Sequence, residues 1–168
     1  MNEMNGSSLG RDLAKGMIAG AIATLVMGRV TAFLMQQQDP EDRREERKAR
    51  GGATAYGSAA ERVVEVVGVD LDDEQWERLA TAVHWGLGIG LGALYSVIRS
   101  RIPGPEWLHG LGAGTAFWGL VDEGMSPALG LNPPPGDLPI ESHGRMLAGH
   151  LTYGMVTDGT LRILDRVM

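Results

Sequence analysis

Cysteine is absent from the sequence, and phenylalanine occurs only twice among 168 residues. A chain without cysteine forms no disulfide, offers no thiolate to a metal ion and has no cysteine nucleophile. Basic residues are also outnumbered, with 15 Lys and Arg against 21 Asp and Glu, which gives a formal net charge of −6. Because a nucleic-acid-binding protein needs a basic surface, we predict no nucleic-acid partner.

Glycine, by contrast, is abundant, with 25 residues in the chain. Glycine destabilises a soluble helix by about 1 kcal/mol relative to alanine, but it is common in membrane helices. The mean hydropathy of −0.07 points in the opposite direction. A soluble helical protein that binds an apolar ligand is therefore one alternative, and a membrane protein is the favoured interpretation.

Four stretches have the length and composition of membrane-spanning helices, which need about 20 residues each. They cover residues 16–35, 76–98, 107–125 and 142–167. Residues 1–15 are predicted to form a polar N-terminal tail. Residues 16–168 then form a single four-span helical membrane domain with a charged loop at 37–75. The predicted fold class is all-α, a membrane four-helix bundle.

The charged loop predicts a short amphipathic helix of its own. It begins with a run of mixed charge at 36–50, which indicates a solvated linker or a short helix. Ser58 and Glu61 then fit a capping box, followed by the valines of 63–67 as an apolar face. Gly68 is suited to end this helix as a C-cap. We expect the helix to lie at the membrane interface.

Two further signals mark helix boundaries. Asp72, with Gln75 three residues later, predicts a capping box at the start of the second spanning helix. Four prolines between residues 133 and 139 exclude a regular helix in the last loop.

Glycines and ionisable residues share single helical faces in the second half of the chain. The three series are His84, Gly88 and Gly92, then Gly112, Gly119 and Glu123, then His150, Gly154 and Asp158. Small residues let membrane helices approach closely. We therefore predict that five glycines lie at helix contacts: Gly88, Gly92, Gly112, Gly119 and Gly154.

Several short motifs follow one another in a distinctive order in this half of the chain. They are Trp118-Gly-Leu-Val-Asp-Glu123, Pro127-Ala-Leu-Gly-Leu131, Pro133-Pro134, Leu138-Pro139 and His150-Leu-Thr-Tyr-Gly154, with His84 and Gly92-Ala-Leu-Tyr95 one helix earlier. This order resembles the YagU-like family of bacterial inner-membrane proteins. The resemblance implies a multi-pass inner-membrane protein with a link to acid tolerance and no catalytic residues. The charged run at 39–50 departs from the family's pattern.

Six ionisable residues fall within or near the predicted spans: Arg29, His84, Asp122, Glu123, His150 and Asp158. A charge at membrane depth costs several kcal/mol, so we expect these side chains to face inward and to pair. One hypothesis is that the cluster senses or moves protons, because imidazole titrates near physiological pH. The other is structural, with the same side chains forming hydrogen bonds between helices.

The sequence gives only weak indications of a bound ligand. His84 and His150 on facing helices would suit axial ligation of a haem or a pigment, and otherwise we predict no cofactor. The adjacent acids Asp122 and Glu123 would either bind a cation with loop carbonyls or mark a helix end at the interface. No metal-hydrolase, phosphate-loop or nucleophile-elbow motif occurs, so we predict no metal site, no catalytic residue and no enzyme activity.

The sequence thus predicts a multi-pass protein of the bacterial inner membrane, with the lipid bilayer as its partner and both termini in the cytoplasm. Its predicted function is an acid-stress or proton response through the six ionisable residues. The alternative function is a structural or accessory subunit of a larger membrane complex, or a homo-oligomer, in which glycine faces contact partner helices.

Overall fold

A computed structural model describes residues 2–99 and 105–167. The structure is 86% helical and has no strand in these ranges, so the all-α prediction is confirmed. By length and composition, two of its helices are suited to crossing a membrane, Leu9–Gln37 and Asp73–Ile98.

Six helices form the described part of the chain. They are α1 (Asn2–Gln37), α2 (Pro40–Ala49), α3 (Ala55–Val67), α4 (Asp73–Ile98), α5 (Glu106–Phe117) and α6 (Ile140–Val167). Helix α5 continues directly into a π-helical segment, Trp118–Met125. Because α1 begins at Asn2, the N-terminal tail predicted at 1–15 is itself helical from that residue onward.

The long helices are antiparallel neighbours, with α1 and α6 in the middle of the bundle. Helix α4 packs on α1, α1 packs on α6, and α5 packs on α6. Lys15 contacts Asp165 at one end of the α1–α6 pair, and Gln38 contacts Arg145 at the other. We call the first the tail end, and the second, which also carries α2, α3 and the proline-rich loop, the loop end.

Glycines set the contact between α1 and α4. A Cβ atom added at Gly16 would lie 2.6 Å from the carbonyl oxygen of Gly92, and one at Gly20 would lie 2.7 Å from that of Gly88. The two backbones therefore touch directly, as in membrane helix pairs with small residues four apart. Gly88 and Gly92 lie where the sequence placed them, against two glycines of α1 that the sequence analysis did not single out.

A second glycine contact joins α5 and α6. A Cβ atom at Gly110 would lie 2.8 Å from the carbonyl oxygen of Gly154, and Gly114 lies against the backbone of His150. At Gly112 and Gly119 an added Cβ would meet nothing within 4 Å, so the prediction that these two glycines lie at helix contacts is corrected. Gly112 is two residues beyond Gly110 and thus points to nearly the opposite side of the helix.

The charged loop folds into two helices with defined ends. The run at 36–50 contains α2, which Asp39 caps and Pro40 begins. Helix α4 begins with the predicted capping box, since the Asp72 side chain accepts from the Gln75 backbone and the Gln75 side chain accepts from the Asp72 backbone. Helix α2 is not fully solvated, because its residue Glu46 is buried.

Helix α3 begins earlier than the sequence predicts. The Thr54 hydroxyl accepts a hydrogen bond from the backbone N–H three residues later, so the chain is already helical at Ala55. The predicted capping box at Ser58 and Glu61 is therefore wrong. The predicted C-cap is confirmed, because Gly68 adopts a left-handed conformation with φ of 70°.

The bundle interior is made of small and polar side chains, and the large aliphatic side chains lie outside. Its buried apolar cluster consists of Ala19, Ala23, Tyr95, Ala113, Phe117, Tyr153 and Leu161. Buried polar residues include Lys15, Thr24, Ser96, Arg145, His150, Thr157 and Asp158. Such an interior has few large hydrophobic groups to bury, so close backbone contacts and polar interactions hold the helices together.

Candidate functional site

The π-helical segment Trp118–Met125 carries two adjacent acidic residues, Asp122 and Glu123. A π-helical turn is rare, and it occurs frequently at functional sites. Here the segment places two carboxylates beside α6 at the loop end of the bundle.

Each of these carboxylates contacts an imidazole of α6. Nδ1 of His143 lies 2.7 Å from Oε1 of Glu123, and Nδ1 of His150 lies 3.5 Å from Oδ2 of Asp122. Because the two histidines are seven residues apart, about two helical turns, they share one face of α6. We call these four residues the imidazole–carboxylate cluster.

His143 was missed as a site residue by the sequence analysis. The signal for it was its two-turn spacing from His150, which is common in helices and carries little weight alone. Its partner Glu123 was predicted, but nothing in the sequence shows that the π-helical segment turns this acid toward the start of α6.

The ring of His143 is held at both nitrogens. Nε2 lies 3.0 Å from the carbonyl oxygen of Pro135, so one ring joins α6 to the π-helical segment and to the proline-rich loop. A carbonyl oxygen and a carboxylate are both acceptors, whereas neutral imidazole has only one N–H to donate. Both contacts are therefore hydrogen bonds only when the pair of His143 and Glu123 carries one additional proton.

His150 is buried and has two acceptors near one nitrogen. Its Nδ1 lies 3.0 Å from the carbonyl oxygen of Met146, one turn earlier, in addition to the contact with Asp122. The close approach of Gly114 to the backbone of His150 brings α5 near enough for this pairing.

Helix α2 closes the loop end through a buried ion pair. Glu46, which is 4% exposed, accepts hydrogen bonds from Arg145 at 2.6 Å and from Arg50 at 2.8 Å. Burial alone would raise the pKa of Glu46, but the hydrogen bond and the positive charge of Arg145 outweigh it and hold the pKa below its ordinary value. Glu46 is therefore ionised and fixes α2 on α6.

The tail end holds a different set of charges, which we call the cation–carboxylate network. Asp158 accepts hydrogen bonds from the Tyr95 hydroxyl at 2.8 Å and from Arg162 Nε at 2.7 Å. Asp165 pairs with Lys15 at 3.0 Å and also contacts Arg99. All cationic partners in this network are lysine or arginine, whose charges are permanent near neutral pH.

The structure thus divides the six predicted ionisable residues. Asp122, Glu123 and His150 lie together, whereas Asp158 is eight residues further along α6, about 12 Å away by helical rise. Arg29 is exposed on α1. The prediction that Arg29 faces inward and pairs is corrected, because it lies five residues after the inward-facing Thr24 and therefore on another side of the helix.

His84 also lies apart from the cluster. Its ring is half-buried against Tyr56 of α3, with the ring centroids 4.8 Å apart. The proposed haem or pigment ligands, His84 and His150, thus have different immediate neighbours. Within the described ranges no three metal-ligating side chains come together as a metal site.

Comparison of the chain with protein-family models, with curated proteins and with solved structures gives no match. The resemblance to the YagU-like family therefore stays a prediction, and function has to be inferred from the site itself.

Proposed function

We propose that the protein is an integral membrane protein whose imidazole–carboxylate cluster binds a proton and thereby fixes the loop end of the bundle. The observation that carries the proposal is the ring of His143, which faces two acceptors, Glu123 and Pro135, and needs an additional proton to satisfy both.

Membrane insertion is supported by where the apolar side chains lie. The apolar stretches of α1 and α4 are only 22% and 17% buried inside the fold, whereas a core helix of a soluble protein is mostly buried. Exposed aliphatic and aromatic side chains run along α1 from Leu13 to Phe33. That distance of 20 residues corresponds to about 30 Å of helix, which equals the hydrocarbon thickness of a bilayer.

The same pattern supports a four-span arrangement that includes α5 and α6. Exposed large apolar residues on these two helices and the π-helical segment are Leu108, Leu120, Met125, Met155 and Ile163. The buried face of α6 is polar, which lowers the hydropathy of the helix without exposing that face to lipid. Four spans put both termini on one side, and we propose the cytoplasmic side of the bacterial inner membrane.

The amphipathic helix α3 fits the membrane interface. Its Val66 and Val67 are exposed, Val66 by 86%, while its buried face packs on α4. An exposed row of valines beside a charged face is typical of a helix that lies at the headgroup boundary.

Proton binding would act by joining three segments. With the additional proton, His143 donates to both Glu123 and Pro135, and α6, the π-helical segment and the proline-rich loop are held by one ring. Without it, one of the two contacts loses its hydrogen. The protein would thus be more tightly closed at its loop end in acid than at alkaline pH.

The middle of α6 favours a proton response over proton conduction. Between the cluster and Asp158, the Thr157 hydroxyl donates to the carbonyl of Tyr153 at 2.7 Å, and the Tyr153 hydroxyl donates to the carbonyl of Gly88 at 2.5 Å. Backbone carbonyls do not pass protons on, so these hydrogen bonds interrupt a path between the two ends.

Carbonate extraction of membranes tests the first half of the proposal. We expect the chain to stay in the membrane fraction, and recovery in the supernatant would contradict insertion. An absorbance spectrum of the detergent-solubilised protein tests haem or pigment ligation by His84 and His150 in the same sample, because either ligand absorbs visible light.

Spin-label distances test the proton response, and the cysteine-free chain makes labelling specific. Nitroxides at Leu120→Cys and Met155→Cys, both exposed, report the separation of the π-helical segment from α6. In lipid nanodiscs we expect the distance distribution to be narrower at about pH 5 than at about pH 8, because the additional proton completes both contacts of the His143 ring. His143→Gln should abolish the narrowing and His84→Gln should retain it, whereas a pH-independent wild type contradicts the proposal.

Outward-facing glycines favour a second candidate, an accessory subunit of a membrane complex or a homo-oligomer. Gly86 and Gly90 lie four residues apart on an exposed face of α4, where an added Cβ would meet nothing within 4 Å. Purification in mild detergent discriminates the two partners, because a second protein at fixed stoichiometry supports the subunit role and a single species of multiple mass supports the oligomer.

A further inference from the structure

We infer that a cavity beside the imidazole–carboxylate cluster is a water-binding site, filled from a surface groove past the hydrogen bond between Arg50 and Asn132. The inference rests on the proposed function and deepens it, because it names the route by which water, and with it protons, reaches Asp122.

The cavity has the size and the chemistry for one water molecule. Its volume of about 10 Å³ is close to the smallest that holds a water. Its walls include Asp122, Glu123, Ser142 and His143. Oδ2 of Asp122 has no hydrogen-bond partner among the described residues, since its contact with Nδ1 of His150 is 3.5 Å long.

Unsatisfied oxygens of this kind are unfavourable, which explains why water would bind there. A buried polar group without a partner costs about 1–3 kcal/mol, and more when it is charged. A water in the cavity donates a hydrogen bond to the carboxylate of Asp122, so it relieves this cost.

A larger groove of about 360 Å³ opens on the surface next to this cavity. Its walls come from the end of α2, the start of α3 and the proline-rich loop. The groove and the cavity share three lining residues, Arg50, Asn132 and Pro133. The two spaces therefore meet at this one boundary.

The boundary is a single hydrogen bond between α2 and the loop. Arg50 Nη1 donates to the side-chain oxygen of Asn132 at 2.5 Å. When this bond opens, α2 stays in place because Glu46 still accepts a hydrogen bond from Arg145 of α6.

Oxidation by hydrogen peroxide, a reagent close to water in size, tests the route. Met146 lines the cavity, whereas Met27, also half-buried, packs against the apolar core. In lipid nanodiscs at fixed pH, we expect sulfoxide to form roughly tenfold faster at Met146 than at Met27, because thioether oxidation follows access. Peptide mass spectrometry measures both rates in one sample.

Two variants locate the boundary. Asn132→Ala should accelerate oxidation of Met146 about fivefold and leave Met27 unchanged, since local opening exposes only nearby groups. Ser58→Ala, in the groove wall but away from the hydrogen bond, is the matched control and should change neither rate.

Three results would overturn the inference. Equal rates at Met146 and Met27 in the wild type contradict the water site, whether or not the variants fold. An unchanged Met146 rate in Asn132→Ala contradicts the route, and acceleration of both methionines shows general loosening and contradicts it too. If Met146 is oxidised faster than Met27 but the spin-label distances do not change with pH, the proposed function is contradicted and the water site is supported.

Discussion

The two ends of α6 carry similar numbers of charged groups but use different chemistry. At the tail end, Asp158 and Asp165 are paired with Lys15, Arg99 and Arg162. At the loop end, the carboxylates of the π-helical segment are paired with imidazoles. Lysine and arginine keep their charges across the physiological range, whereas imidazole changes its charge within it.

The difference assigns separate roles to the two ends. In the proposed function, the cation–carboxylate network gives the bundle a contact of constant strength, and the imidazole–carboxylate cluster gives it one that depends on pH. Because the network and the cluster both lie on α6, the contacts at the tail end would hold the helices together while those at the loop end change with pH.

The largest expected effect is at the tail end, with Asp158→Leu. Removing this carboxylate takes the acceptor from the buried Tyr95 hydroxyl and breaks the ion pair with Arg162. We expect a loss of about 3–5 kcal/mol in the free energy of unfolding, as for other broken buried pairs. Denaturant titration in detergent measures the loss, which should be equal at about pH 5 and about pH 8 because no imidazole is involved.

Asp165→Asn is the control for that change. The Asp165 side chain is 39% exposed, and solvent screens its charge, so the loss should be well below that of Asp158→Leu. A loss of equal size, or one that varies with pH, would contradict this role of Asp158.

The next effect concerns α2 at the loop end. Glu46→Gln removes a carboxylate that accepts from two arginines, and we expect a loss of about 2–3 kcal/mol in α2 docking, typical of hydrogen bonds to charged groups. Protection of α2 amides from hydrogen exchange is the measurement. Glu45→Gln changes an exposed neighbour on the same helix and should leave protection intact.

The lowered pKa of Glu46 gives this contact its own pH dependence. A carboxylate whose pKa is lower in the folded state stabilises the fold above its unfolded value, and that stabilisation is lost as the pH falls through the folded value. Undocking of α2 should therefore occur only below about pH 4.3, the ordinary value for glutamate. Undocking near neutral pH would show that the histidines, not Glu46, hold α2.

A smaller effect tests how the cluster is positioned. Gly114→Ala adds a methyl group against the backbone of His150, so α5 must move away from α6, at a cost of about 1–3 kcal/mol. The shift should also weaken the pH response of the spin labels. Gly112→Ala on the open side of α5 is the matched control, and equal effects of the two substitutions would mean that the close contact is unimportant.

A still smaller effect tests whether the stability contributed by the loop end, unlike that of the tail end, depends on pH. If the proposed proton is bound, His143→Gln should remove more stability at about pH 5, where two hydrogen bonds of about 1 kcal/mol each are lost, than at about pH 8, where one is lost. The sign follows because a folded state that takes up a proton is stabilised as the pH falls. Denaturant titration at the two pH values checks it, and a loss that is the same at both would mean that His143 is structural.

The smallest effect is expected for Arg29→Gln. This side chain is exposed on α1, and a long arginine near the end of a span keeps its charged head in water, so we expect a change within about 0.5 kcal/mol. A loss comparable with that of Asp158→Leu would show that Arg29 pairs with another molecule in the membrane.

Helix boundaries were largely predictable, because they depend on local chemistry. Asp72, Gln75 and Gly68 act as their types and spacing indicate. The α3 start was missed since Thr54 competes with Ser58 for the same role, and only the folded chain decides between them.

The site was predictable only in part, because helical spacing does not say which face meets which neighbour. His150 and Asp122 were both expected to face inward, and the structure brings them to 3.5 Å from each other. Gly110 and Gly114 contact α6 where Gly112 and Gly119 were expected, an error of about half a helical turn. The π-helical segment has no clear sequence signature, so the approach of Glu123 to His143 was not foreseeable.

The π-helical segment also divides the third long helix into two parts, which contact α6 in different ways. The glycines before it set how closely α5 approaches α6, and the acids within it set which imidazoles they reach. A one-residue deletion between residues 118 and 121 would change how the acids are presented to α6, while the glycine contact before the segment stayed in place. Substitutions in the π-helical segment can therefore change which groups the carboxylates contact, without changing the distance between α5 and α6.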